Sequence, residues 1–224
     1  MGRRPTVPIP PGMQEEFYDC LWHVAACGGW RSADGRREVR NLEKRTAKRW
    51  MRRRHALVCL WLTALAARFS EVRRLRMSDI ALGSGSAFVH RSKGGASGDV
   101  ELSRELIHLT LDWRSHRTEV FNSPYVLPSR TGGALDVDSF NRDAAKFFGE
   151  LFGIRLSSHC FRDTACQMAM DQSGKVRVVQ SLMGHRSART TEHYLAKLRV
   201  KAFQLSLFRP VRVTEGESEA EAVA

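Results

Sequence analysis

The chain has 224 residues and is short of several things. It has no run of about 18 apolar residues, so no membrane-spanning helix is expected. Its first residues, MGRRPTVPIPPGMQ, are basic but lack the apolar core of a secretion signal. Cysteines are few and odd in number: Cys20, Cys27, Cys59, Cys160 and Cys166, with no CxxC pair. That argues against a disulfide framework and against a closely spaced zinc site. They read as reduced thiols packed as small hydrophobes in a cytoplasmic protein. Tyrosine is scarce, with only Tyr18, Tyr125 and Tyr194. Four of the seven prolines fall in residues 1–12, which are expected to form a flexible arm. Acidic residues are outnumbered 24 to 36 by Lys and Arg, giving a net charge of +12. A pI near 10.2 points to a polyanionic partner, nucleic acid ahead of an anionic membrane surface.

What is present is a chain that is 42% hydrophobic and patterned for helices. Gln14 to Cys27 has an apolar stripe and ends at Gly28-Gly29. A second helix is expected from about Leu42, buried towards its end because Ala56–Ala67 is almost continuously apolar. Ser70 reads as the N-cap of a short helix over Glu71–Arg76. Ala87–Arg91 and Asp99–Leu102, separated by a glycine-rich turn, read as a β-hairpin. Helices are then expected over Arg104–Arg117, from Asp136 or Asp138 to Leu151, from Ser157 or Ser158 to Ser173, and over Val176–Leu182, Thr190–Arg199 and Lys201–Phe208. The final ten residues hold four glutamates and no basic residue, the composition of a disordered tail. The fold class is mainly α with a small β-hairpin (α+β). The expected division is an arm over 1–12, one domain over 13–208 and an acidic tail over 209–224.

Charge is concentrated locally. Residues 31–54 carry 11 Lys/Arg against 3 Asp/Glu. Arg45, Lys48, Arg49, Arg52, Arg53 and Arg54 are therefore candidates to grip a DNA backbone; the same charges would also suit a solvated helix face.

The C-terminal third carries an ordered set of reactive groups. Breaking a phosphodiester without metal requires cations that fork onto the phosphate, a side-chain nucleophile and a proton donor for the leaving oxygen. His159-Cys160-Phe161-Arg162 places His and Arg on one helix face. His185 follows in Leu182-Met183-Gly184-His185, and Tyr194 stands nine residues beyond it. Upstream, Arg68 ends the buried helix and Lys93 lies in the hairpin turn. Taken singly, each has an ordinary reading. Arg68 would neutralise helix-end carbonyls, Lys93 would be a solvated turn lysine, and His159 would pack. Arg162 would pair with Asp163, His185 would cap a helix, and Tyr194 would sit in the core. Their joint order is what those readings leave unexplained.

The segments ARFSEVRRLRMSDI, HCFRDTA and LMGHRSARTTEHY resemble the signature boxes of the tyrosine recombinase (lambda-integrase) family. YVLPSRTGGALDVDSFNR resembles the segment that family carries before its His-x-x-Arg box. The resemblance covers roughly residues 10–208. It implies that Arg68 and Arg162 clamp the phosphate and that His185 hydrogen-bonds a phosphate oxygen. Lys93 would protonate the leaving 5′ oxygen and His159 would assist proton transfer. Tyr194 would form a 3′-phosphotyrosine without metal or cofactor. The implied partners are double-stranded recombination sites and further copies of the chain, a tetramer on DNA and a monomer in solution, with an accessory DNA-bending protein as a further candidate. A resemblance to single-domain fimbrial phase-variation invertases implies that no separate core-binding domain is present. Lys201–Phe208 would dock on a neighbouring protomer or pack within its own chain. Three positions depart from the family pattern: Asp163 replaces a common histidine, Ala196 another, and Ala67 the usual glycine. Two competing functions remain at this point, an inactive architectural DNA-binding protein and a type IB topoisomerase.

Overall fold

The computed structural model describes residues 7–40, 47–92 and 95–185. Within them the chain runs α1 (Pro11–Cys27), β1 (Trp30–Arg31), β2 (Glu38–Val39), α2 (Ala47–Ala64), α3 (Phe69–Val72), β3 (Ile80–Ala81), β4 (Ser86–Val89) and β5 (Gly98–Glu101). It continues through α4 (Arg104–Ser115), α5 (Thr118–Phe121), α6 (Val137–Ser139), a π-helical turn (Phe140–Ala145), α7 (Lys146–Phe152), α8 (Ser158–Ser173) and α9 (Val176–Met183). The expected helices over Thr190–Arg199 and Lys201–Phe208 lie outside the described residues, as do Arg45, Lys93 and Tyr194.

α2 is the axis of the domain. Every residue from Ala56 to Leu62 is buried, and α1, α4 and α8 pack around it. A helix apolar all round must be enclosed in this way. Phe17 of α1 joins the layers, with its ring centroid 4.9 Å from Phe152 and 6.2 Å from Phe161. Two of the polar groups carried into the core are paired there, as burial favours. Trp61 Nε1 donates to Thr110 Oγ1 at 2.9 Å, and Tyr18 Oη lies 3.0 Å from Thr63 Oγ1. A second, smaller cluster of Ala66, Ala165, Cys166, Ala169, Val179 and Met183 joins α8 to α9. All five cysteines are free and four are buried. Among the described residues no helix is long and apolar enough to cross a membrane.

Several boundaries differ from the sequence reading for identifiable reasons. The arm is ordered earlier than its prolines suggest. Ile9 is buried and its N–H reaches Thr164 Oγ1 at 2.9 Å, while Pro11 starts α1 from the one helical position where a missing N–H costs nothing. The basic stretch contains a small antiparallel ribbon, β1–β2, pairing Trp30 with Val39. The hairpin is the larger part of a three-stranded antiparallel sheet ordered β3-β4-β5. Its third strand is only two residues long, too short to leave an alternating pattern. α2 stops at Ala64, three residues before its apolar run ends, and Ala66 turns to φ +44°. Arg68, not Ser70, is the N-cap of α3. The C-caps fall as read, with Gly28 and Gly174 both left-handed.

Candidate active site

The premature end of α2 creates the site. Residues 65–67 leave the helix with Ala66 in a left-handed conformation, and Leu65 and Ala66 turn their carbonyls towards Arg91, beyond β4, and Arg162, on α8. Arg68 follows in an extended conformation at φ −72°, ψ 151°.

Glu71, at the third position of α3, is the hub of the site. Its carboxylate accepts Arg68 N–H at 2.9 Å through Oε2 and Arg68 Nη1 at 2.9 Å through Oε1. Ser92 adds its N–H and its hydroxyl to Oε1, both at 2.9 Å. Arg91 Nη1 reaches Oε2 at 3.2 Å, and Arg162 Nη1 stands 3.8 Å away. The Glu71 side chain is 1% exposed. Burial alone would raise its pKa, but the hydrogen bonds from Ser92 and Arg68 outweigh it and hold the carboxyl at about 2. It is therefore a permanent anion beneath the arginines.

Arg162 enters from the second turn of α8 and is 3% exposed. Nη1 donates to Ala66 O and Nη2 to Met183 O at 3.1 Å. Nη2 also stands 3.3 Å from His185 Nε2. A guanidinium can only donate, so His185 Nε2 is the acceptor and the imidazole is neutral with its proton on Nδ1. Burial and the neighbouring Arg162, Arg68 and Arg91 push its pKa down to about 4, in agreement with that assignment. Burial and the Arg68 charge likewise lower the Arg162 guanidinium to about 10, still protonated at neutral pH.

The structure thus brings together Arg68, Arg162 and His185. His159 lies one helical turn before Arg162 on α8 and is exposed. Glu71, Arg91 and Ser92 belong to the same network and were missed by sequence reasoning. Glu71 had a visible signal, standing three residues after the N-cap Arg68, the spacing of a reciprocal cap. Arg91 had none beyond lying two residues before Lys93.

The basic candidates divide. Lys48 is exposed. Arg49 Nε donates to Cys27 O at 2.7 Å and Arg53 Nε to Ala25 O at 2.7 Å, so both close the carbonyl end of α1. Arg53 also pairs with Asp112. Arg54 is buried against the Trp50 ring at 5.5 Å, and burial lowers its pKa to about 10. Arg52 donates to Arg40 O at 2.8 Å and covers the Phe147 ring at 5.2 Å. The run of charge that reads as a solvated or DNA-facing surface is, at Arg53 and Arg54, part of the packing.

Residues 36–199 match the model of the phage integrase family. The chain belongs to that family. The type 1 fimbriae regulatory protein FimB of Escherichia coli K12 is 32% identical over 133 residues, covering 58% of this chain and 66% of FimB. The tyrosine recombinase XerA of Pyrococcus furiosus is 26% identical over 152 residues, covering 63% of this chain and 49% of XerA. The matched segments therefore span about half to two thirds of these relatives. Among solved structures, XerA recombinase superposes with a TM-score of 0.59 at 21% identity, covering 85% of this chain and 61% of that one. XerH recombinase bound to palindromic difH, a post-cleavage complex, gives 0.64 at 15% identity, covering 87% and 50%. At these identities the superpositions show a shared catalytic-domain fold, as the signature boxes led one to expect.

Proposed function

We propose that this phage integrase family member is a site-specific DNA recombinase that cuts and rejoins strands through a 3′-phosphotyrosine. The observation that carries the reading is the convergence of Arg68, Arg162 and His185 over one buried anion, Glu71. Two guanidiniums held this way present donors to a scissile phosphate and to the charge that builds on its oxygens as the nucleophile arrives. His185 contributes a further hydrogen bond to a phosphate oxygen. Tyr194 Oη attacks phosphorus and forms the P–O bond of the 3′-phosphotyrosine, while the bond to the 5′ oxygen breaks. Lys93 gives that oxygen its proton, and His159 assists proton transfer at the nucleophile. A 5′-hydroxyl from a second DNA end then displaces the tyrosine, which recovers its proton. The bond energy is conserved, so neither metal nor ATP is needed.

The proposed partners are double-stranded recombination sites and further copies of the chain assembled on them. Of the basic stretch, Arg45, Lys48 and Arg52 are the proposed DNA-backbone contacts, supported at Lys48 by its exposure; Arg49, Arg53 and Arg54 act first on the fold. The proposed domain division is the one expected from sequence, with a single catalytic domain between a short arm and an acidic tail.

The test is a suicide substrate nicked beside the cleavage site. The wild type forms a covalent protein–DNA adduct and Tyr194→Phe forms none. Absence of a wild-type adduct would leave the architectural reading. Adduct formation without strand exchange between two sites would favour the topoisomerase reading.

A further inference from the structure

The mechanism leaves unused a buried charged group that borders the site. The Arg91 side chain is 2% exposed and stands on the chain segment that leaves β4. Its Nη2 donates to Leu65 O at 2.9 Å and to Leu182 O at 2.6 Å. Arg162 makes the neighbouring pair of bonds, to Ala66 O and Met183 O. Two arginines thus lie side by side and bind consecutive carbonyls of the same two segments, one beginning the Arg68 turn and the other ending α9. Arg91 Nη1 completes the set on Glu71 at 3.2 Å.

The surroundings are shaped for this side chain. A Cβ on Gly184 would lie 2.8 Å from Arg91 Cγ and 3.0 Å from Arg91 Nε, and one on Gly95 would lie 2.8 Å from Arg91 Cβ. The side chain passes between two glycines, and Ala96 N–H closes the same junction by donating to Gly184 O at 2.8 Å. The β4–β5 hairpin is therefore bolted to the turn that delivers His185.

We infer that Arg91 is a positioning residue for the phosphate clamp, locking the Arg68 turn, the His185 turn and the hairpin into one register. A buried charge is retained only where its bonds offset the desolvation, and the partners of the Arg91 side chain, Glu71, Leu65 O and Leu182 O, all border the site. Lysine does not replace it, because one ammonium lacks a planar fork to span two carbonyls and a carboxylate together. The inference rests on the recombinase reading above.

The experiment compares Arg91→Met and Arg91→Lys in the full chain with Val120→Ala, a fully buried position on α5 outside the site, as a control for lost stability. Single-turnover adduct formation is measured at saturating suicide substrate, across pH, beside DNA affinity and melting temperature. Both Arg91 variants are expected to cleave about 10–100-fold more slowly, the usual effect of removing a group that orients reacting residues, with DNA affinity held within about twofold, a margin within the context scatter of single interactions. His185 is faced by Arg162 from α8, Arg68 and Glu71 from α3, and Arg91 from the hairpin. Loss of one positive neighbour in Arg91→Met moves the acid limb of the pH–rate profile upwards, whereas Arg91→Lys leaves it in place. Wild-type rates in either variant, or losses no larger than those of Val120→Ala at equal melting temperature, overturn the inference. A wild type that forms no adduct overturns instead the reading on which it rests.

Discussion

Glu71 holds Arg68 twice, through the backbone N–H and through Nη1, each at 2.9 Å. The same carboxylate therefore fixes where the chain turns and where its guanidinium points. In Glu71→Gln the charge that balances Arg91 and Arg162 is gone while both remain buried. Breaking a buried ion pair from one side costs about 3 kcal/mol, which should appear in urea unfolding. The cleavage rate of the protein that stays folded should fall by about 10²–10³, as when a preorganised oxyanion donor is removed. A folded Glu71→Gln with wild-type cleavage would mean that Arg68 finds its place unaided.

Acid should loosen the fold in two stages. His185 is held at about 4 and His55, half-buried beside Arg54, also at about 4, both below the ordinary value of 6.5. A depressed folded pKa means that stability is complete above pH 6.5 and is lost as pH falls towards 4. Glu71, depressed from 4.5 to about 2, contributes stability that is complete above pH 4.5 and is lost as pH falls towards 2. Calorimetric melting temperatures between pH 7 and 4 should fall less steeply in His185→Asn, with the remaining slope carried by His55. Identical slopes in wild type and variant would contradict the neutral, acceptor assignment of His185.

The basic stretch should divide under mutation. Arg53→Met removes the cap on Ala25 O and the pair with Asp112, and should cost about 1–3 kcal/mol of stability with the salt dependence of DNA binding unchanged. Lys48→Met should do the reverse, leaving the melting temperature alone and reducing the salt slope by about one. Equal salt slopes for Lys48→Met and wild type would remove Lys48 from the DNA interface.

Gly184→Ala should harm the site out of proportion to its size. The position has φ +64°, and the added methyl would stand 2.6 Å from Ala96 O and 2.8 Å from Arg91 Cγ. The left-handed backbone alone costs an alanine on the order of 1 kcal/mol. The contacts should separate the hairpin from the His185 turn. Gly153→Ala shares the positive φ and meets nothing within 4 Å, so it should show the backbone cost without the loss of cleavage. Equal cleavage losses in the two variants would mean that backbone strain alone explains the effect.

The grouping of the candidate residues was legible where each lies in its own signature box. Arg68, Arg162 and His185, which the resemblance of their boxes grouped as candidates, lie in one hydrogen-bonded network with Glu71. Apart from Glu71, whose tie to Arg68 is local, the parts that escaped depend on residues distant in sequence. Arg91 is tied to Leu182, 91 positions away, and Arg162 to Ala66, 96 positions away. No local periodicity reports such a pairing. The fold followed the same rule. α1, α8 and α9 were readable from apolar spacing and terminal glycines. The early end of α2 was not, because Leu65, Ala66 and Ala67 are as apolar as the helix before them and leave it only when the arginines take their carbonyls. The charge of Arg53 and Arg54 misled for a related reason, since a long side chain on a basic helix looks solvated until a neighbouring helix end claims it.

The bend at Leu65–Ala67 has a consequence for the life of the chain. The carbonyls it exposes are met by side chains from the hairpin and from α8, so the proposed phosphate clamp draws on residues from 65 to 185 and no short fragment contains it. During synthesis, or after partial unfolding, the individual reactive groups are present but unassembled. On the proposed reading, competence to cut DNA should therefore arrive in a single cooperative step with the native fold and vanish with it, a fail-safe that requires no inhibitor.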